Sequence, residues 1–152
     1  MAGELDDAST IASLAKGCET IVSICPPDSA VAVADETAAC GFDEVAANAI
    51  APATSRSVAG FFDRYVDGGV IGPPVSEAQR TRLYLSGSDA AGVATLWDRS
   101  DLDVRIIDTS SPGAASALKM SYAAWTKGTS GLLLAIRALA EAEGITAALL
   151  DE

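Results

Sequence analysis

TIVSICPPDSAVAVAD, residues 20–35, decides the fold. Residues 20–25 form a compact apolar run of the kind that a buried parallel strand needs, with no polar alternation to mark a solvated face. Pro26 and Pro27 stop it. Asp28 and Ser29 follow with oxygens able to cap a helix, which runs to about Ala39 and closes at Cys40-Gly41-Phe42.

The same grammar repeats downstream. DEVAANAI (43–50) reads as a strand ending near Asn48, and Pro52 opens a short helix toward Phe61. RYVDGGVIG (64–72) is a third run, ending at Pro73-Pro74. RTRLYLSG (80–87) is a further strand, Ser88-Asp89 can cap the helix after it, and DVRIID (103–108) is the last strand. Strands alternating with helices predict an α/β layered domain with a mostly parallel sheet.

The last third changes character. Ser110-Ser111-Pro112 offers a hydroxyl cap and a first-turn proline, so one helix is expected over 112–143, about 48 Å long. Leu118, Tyr122, Trp125, Leu132, Ile136 and Leu139 recur along it at helical spacings. An apolar helix of that length needs a partner surface.

Composition narrows the function. The 152 residues carry 10 Lys and Arg against 21 Asp and Glu, a net charge of −11, which excludes nucleic acid and anionic membranes as partners. Hydrophobic residues make up 49% of the chain, too many for a disordered acidic segment. The absence of histidine removes the commonest general base and metal ligand. Cys18, Cys25 and Cys40 are odd in number and lack CxxC spacing, so neither zinc nor a disulfide framework is expected. MAGELDDAST has acids where a secretory signal needs a basic flank, which makes the cytoplasm the default compartment.

Two features could carry chemistry. At α-helical spacing Lys119, Ala123, Thr126, Lys127 and Ser130 share one face. That stripe reads either as a ligand-facing surface or as a solvated face with two surface lysines. Gly68 and Gly69, expected just after a strand, allow close backbone approach to a ligand or form a tight turn. Pro26-Pro27 and Asn48 stand at the ends of other strands, where ligands of open α/β sheets gather. No GxGxxG, GxxxxGK[ST] or GxSxG motif occurs.

TIVSICPPDSAVAVAD, AANAIAPATSR, YVDGGVIGPP, RLYLSG and GAASALKMSYAAWTKG, in that order, resemble the 6-phosphogluconate dehydrogenase-like superfamily. Within it they are most similar to the β-hydroxyacid (3-hydroxyisobutyrate) dehydrogenase-related branch with a DUF1932-type C-terminal domain. The resemblance implies that residues 1–109 are a partial Rossmann-type NAD(P)-binding domain lacking the glycine-fingerprint unit. Residues 110–152 would be the long interdomain helix and the start of an all-helical domain, with truncation at both ends. It implies NAD or NADP as cofactor, a small hydroxy- or oxo-acid substrate, and a homodimer or higher oligomer.

By the same resemblance Lys119 is the catalytic acid/base, Pro26, Pro27 and Asn48 bind the cofactor, and Gly68 and Gly69 lie in the substrate loop. Lys127, two turns along the same face, is a candidate substrate-binding residue and a candidate for the cation that would lower the proton affinity of Lys119. No metal is expected. Ile71 stands where better-known members carry a serine, and Tyr122 or Ala123 where an asparagine is usual. Two functions follow: an NAD(P)-dependent oxidoreductase, or a non-catalytic oligomerisation or binding module descended from one.

Overall fold

A computed structural model describes residues 6–41, 44–46, 48–73, 81–107 and 110–152. The ends of expected elements at Phe42, Asp43, Ala47, Pro74, Arg80 and Asp108 lie outside the described residues. The chain forms two compact units, Met1–Lys119 and Met120–Glu152.

The first unit begins with a short helix that the sequence pattern did not suggest, α1 (Ile11–Ala15), capped by the Thr10 hydroxyl. Then come β1 (Ile21–Ser23), α2 (Ala30–Ala39), β2 (Glu44–Ala46) and α3 (Pro52–Ala59), with proline in the first turn of α3. β3 (Tyr65–Ile71), β4 (Arg82–Ser86), α4 (Ala90–Ala94) with a 3₁₀ turn at Thr95–Trp97, and β5 (Asp103–Ile106) follow. Ser29 and Asp89 do occupy helix-cap positions, yet neither side chain bonds the helix backbone.

The sheet has the order β1-β2-β3-β4-β5, parallel throughout except between β3 and β4. This is the mostly parallel α/β sheet that the alternation predicts. Side chains alternate across β3, and each face has its own core. Val66 packs with Leu83, Leu85 and Ala90 of β4 and α4. Tyr65, on the opposite face, packs with Ala34 of α2 and Val58 of α3.

Helical hydrogen bonding then runs from α5 (Ala114–Ala123) through a π turn (Ala124–Gly128) into α6 (Thr129–Ala142), followed by α7 (Thr146–Asp151). The long helix is therefore present, beginning at Ala114 rather than at Pro112, which lies in a turn. The second unit, taken by itself, leaves Trp125, Leu132, Leu133, Leu134 and Leu139 largely exposed. Among the described residues no helix is long and apolar enough to cross a membrane.

Candidate functional site

Three parallel strands bring the first group of predicted residues to one level. Ser23, Ala46 and Asp67 are in register across β1, β2 and β3. Two residues further along each segment stand Cys25, Asn48 and Gly69. Asn48 is buried, and its side-chain oxygen accepts the backbone N–H of Cys25 at 2.7 Å. Its amide nitrogen donates to the Ser23 hydroxyl at 3.2 Å. Asn48 thus ties the end of β1 to the end of β2 and orients the segment that carries Pro26 and Pro27. Both prolines are exposed at this carboxyl edge of the sheet, beside the exposed side chain of Ile24.

Gly68 and Gly69 lie inside β3, paired with Leu85 and Tyr84 of β4, and not in a loop after a strand. The close approach they were expected to permit is real at Gly69, but what approaches is a helix. A Cβ at position 69 would stand 2.8 Å from the Ala115 carbonyl oxygen and 3.5 Å from the Cβ of Lys119. Contacts as short as the first essentially never occur for a real side chain. Glycine at 69 therefore lets α5 lie directly on the strand.

Asp67, two residues earlier on the same face of β3, is 1% exposed. One carboxylate oxygen accepts the hydroxyls of Ser55 (2.8 Å) and Ser116 (2.7 Å). The other accepts the backbone N–H of Ser116 at 2.7 Å and faces the Ser86 hydroxyl at 3.5 Å. Ser86 in turn accepts the backbone N–H of Ala115 at 3.0 Å. The first N–H groups of α5 have no partners within the helix, and here strands β3 and β4 supply them. A carboxylate at a helix N-terminus is also favoured by the helix dipole. Where the sequence predicts a local cap at Ser110-Ser111, the sheet takes the N–H groups of Ala115 and Ser116. Gly113, at φ +92°, makes the turn into α5, where a Cβ would stand 2.9 Å from the Pro52 carbonyl oxygen.

Lys119 follows one turn after Ala115, so its stem lies along Gly69. It is partly buried, and among the described residues no hydrogen bond or ion pair holds its ammonium. Burial lowers its proton affinity below that of an ordinary lysine. Desolvation is the cause of that shift. Lys127 is exposed in the π turn of the second unit. The single-face stripe from Lys119 to Ser130 also assumed uninterrupted α-helical spacing, and the π turn breaks that phase. Among the described residues no three His, Cys, Asp or Glu side chains gather as metal ligands would.

The functional group that sequence reasoning missed is Asp67 with Ser55, Ser86 and Ser116. Its signal was one charged residue inside an apolar strand, Tyr65-Val66-Asp67, where an unpartnered carboxylate would be prohibitive.

No protein-family model and no curated protein matches the chain. Solved structures do. A conserved hypothetical protein from Sinorhizobium meliloti 1021 superposes with a TM-score of 0.77 at 25% identity, over 93% of this chain and 49% of that one. A conserved protein of unknown function, structurally similar to 3-hydroxyacid dehydrogenases, gives 0.75 at 25% identity over 98% and 56%. An imine reductase from Myxococcus stipitatus in complex with NADP+ gives 0.68 at 24% identity over 93% and 54%. A variant of that reductase is in complex with NAD+. The fold is thus that of 3-hydroxyacid dehydrogenase-like and imine reductase proteins, with a Rossmann-type α/β layer and a long C-terminal helix. The chain spans about half the length of the solved structures it matches.

Proposed function

We propose that the chain belongs to an NAD(P)-dependent oxidoreductase of the β-hydroxyacid dehydrogenase type, of the DUF1932-bearing subgroup, acting on a small hydroxy or oxo acid in the cytoplasm. The observation that carries the reading is Lys119: half-buried, without an ion-pair partner among the described residues, and laid along Gly69 at the carboxyl end of the parallel strands. In this reading residues 1–109 are part of the nucleotide-binding domain. Residues 110–152 are the interdomain helix and the start of a helical domain.

The residues present suit the nicotinamide half of the dinucleotide. Ile24, Pro26 and Pro27 offer an exposed apolar edge where a flat ring can lie, and Asn48 holds that edge in place. The diphosphate half has no glycine fingerprint to receive it within these 152 residues. When bound, the dinucleotide supplies or accepts the hydride.

Lys119 would deliver the matching proton to the substrate oxygen during reduction and take it back during oxidation. A proton affinity lowered toward the working pH makes both directions easier. Gly68 and Gly69 leave the strand beneath without side chains. A second copy of the chain would cover the exposed leucines of α6, making a homodimer.

The test is binding of NADH and NADPH by fluorescence, then turnover of small oxo acids by wild type and Lys119→Ala. Binding with turnover lost by about 10²-fold or more in the variant supports the reading. Failure to bind either dinucleotide would favour the alternative, a non-catalytic oligomerisation or binding module. The missing glycine fingerprint is the observation behind that alternative.

A further inference from the structure

We propose that Asp67 is the positioning residue for Lys119: its buried carboxylate fixes the first turn of α5 on the sheet and so keeps the lysine stem on Gly69. The inference rests on the reading of Lys119 as the acid/base, but its test needs no turnover.

The argument begins with what adhesion alone would require. Helix and strand could be held together by apolar side chains, since replacing both partners of a buried hydrogen bond with apolar groups of the same shape is nearly neutral. Here the contact holds a carboxylate, three serine hydroxyls and two backbone N–H groups instead. Apolar packing tolerates sliding. Hydrogen bonds of 2.7 Å do not, because they weaken steeply with distance and angle.

Slippage is what this site has to prevent. One residue of slip in a helix is about 1.5 Å of rise and about a quarter turn of rotation, enough to swing Lys119 off the strand. The clamp and the lysine are also close in the chain. Ser116, which meets Asp67 through both its N–H and its hydroxyl, is three residues before Lys119 on the same helical face. Ala115, whose N–H is held by Ser86, contributes the carbonyl that presses on Gly69. The restraint therefore reaches the lysine within a single turn.

The experiment uses the full chain and its own lysines as references, because Lys16, Lys119 and Lys127 are the only three. Acetylation of each amine is followed by mass spectrometry across pH in wild type, Asp67→Asn and Ser116→Ala, alongside each melting temperature. In wild type, Lys119 should reach half its limiting rate at a pH below the ordinary lysine value of 10.5. In both variants that midpoint should rise toward the ordinary lysine value of 10.5, lowering the free-amine fraction of Lys119 at pH 8. Loss of the Asp67 charge would by itself push the midpoint down, so a rise reports displacement and not electrostatics.

A lower melting temperature with the Lys119 midpoint unmoved would overturn the proposal and leave Asp67 a purely structural group. Should Asp67→Asn not fold, Ser116→Ala, which removes one hydroxyl and no charge, carries the same test. Loss of turnover in Lys119→Ala bears on the lysine's function and leaves the positioning result independent of it.

Discussion

The carbonyl oxygen of Ala115 lies 2.8 Å from the point where a side chain at Gly69 would begin. Strand and helix are packed there as closely as two backbones can be, and the lysine of the proposed site rides on the contact.

Substituting Gly69→Ala should therefore force α5 away from β3. A destabilisation of about 1–3 kcal/mol is expected from overpacking, read as a lower urea midpoint. The helix backbone and not a flexible side-chain tip is what the methyl group meets, so relaxation is costly. A variant as stable as wild type would show that α5 is not seated on Gly69.

The buried stem of Lys119 predicts a pH dependence of stability. In the unfolded chain this amine titrates near the ordinary value of 10.5, and in the folded chain at a lower pH. Between those two points the unfolded state binds more protons, so stability contributed by this group rises with pH across that window. Below it the folded chain carries the whole cost of a partly desolvated ammonium. Lys119→Met removes that cost. The variant's melting temperature should exceed that of wild type most clearly near neutral pH, and the difference should shrink as pH approaches 10.5. A difference constant with pH would refute the burial of the ammonium.

Asn48→Ala takes the acceptor from the Cys25 N–H and the donor from the Ser23 hydroxyl. A loss of about 1–3 kcal/mol follows from the unsatisfied groups, measurable by chemical denaturation. On the proposed function, nicotinamide dinucleotide binding should weaken as well, because the Pro26-Pro27 edge loses its tether. Calorimetry on the variant checks this. Unchanged affinity would separate Asn48 from the cofactor site.

How much of this the sequence carried depended on distance along the chain. β1 was legible because TIVSIC is a compact, mostly apolar run and two prolines end it. β4 was legible because RTRLYLSG has the alternating character of a strand. The antiparallel pairing of β3 with β4 has no such local mark, since an apolar run looks the same in either direction. Asp67 was opaque for the same reason: its partners Ser55, Ser86 and Ser116 lie 12, 19 and 49 residues away. Lys119 could be found by resemblance, while its contact with Gly69 belongs to the packing alone. The π turn at Ala124–Gly128 has no composition that distinguishes it from α-helix, so Lys127 was assigned to a face it could not be shown to share.

The second unit supplies the last expectation. Leu132, Leu133, Leu134 and Leu139 are all more than half exposed, a large apolar surface for 33 residues from Met120 to Glu152. Sedimentation velocity should show a dimer or larger species for wild type, and Leu133→Lys with Leu134→Lys should shift it toward monomer. A wild-type chain that sediments as a monomer at micromolar concentration would contradict the proposed self-association.

The cap that β3 and β4 place on α5 has a consequence for the order in which the molecule assembles. Helix nucleation is the unfavourable step, and α5 receives acceptors for the N–H groups of Ala115 and Ser116 from residues on paired strands. Bringing Ser116 to Asp67 closes a loop of 49 residues, a non-local event of the kind that slows folding. The seat of Lys119 on Gly69 therefore depends on the pairing of β3 with β4, and a chain in which those strands are apart has no such seat to offer.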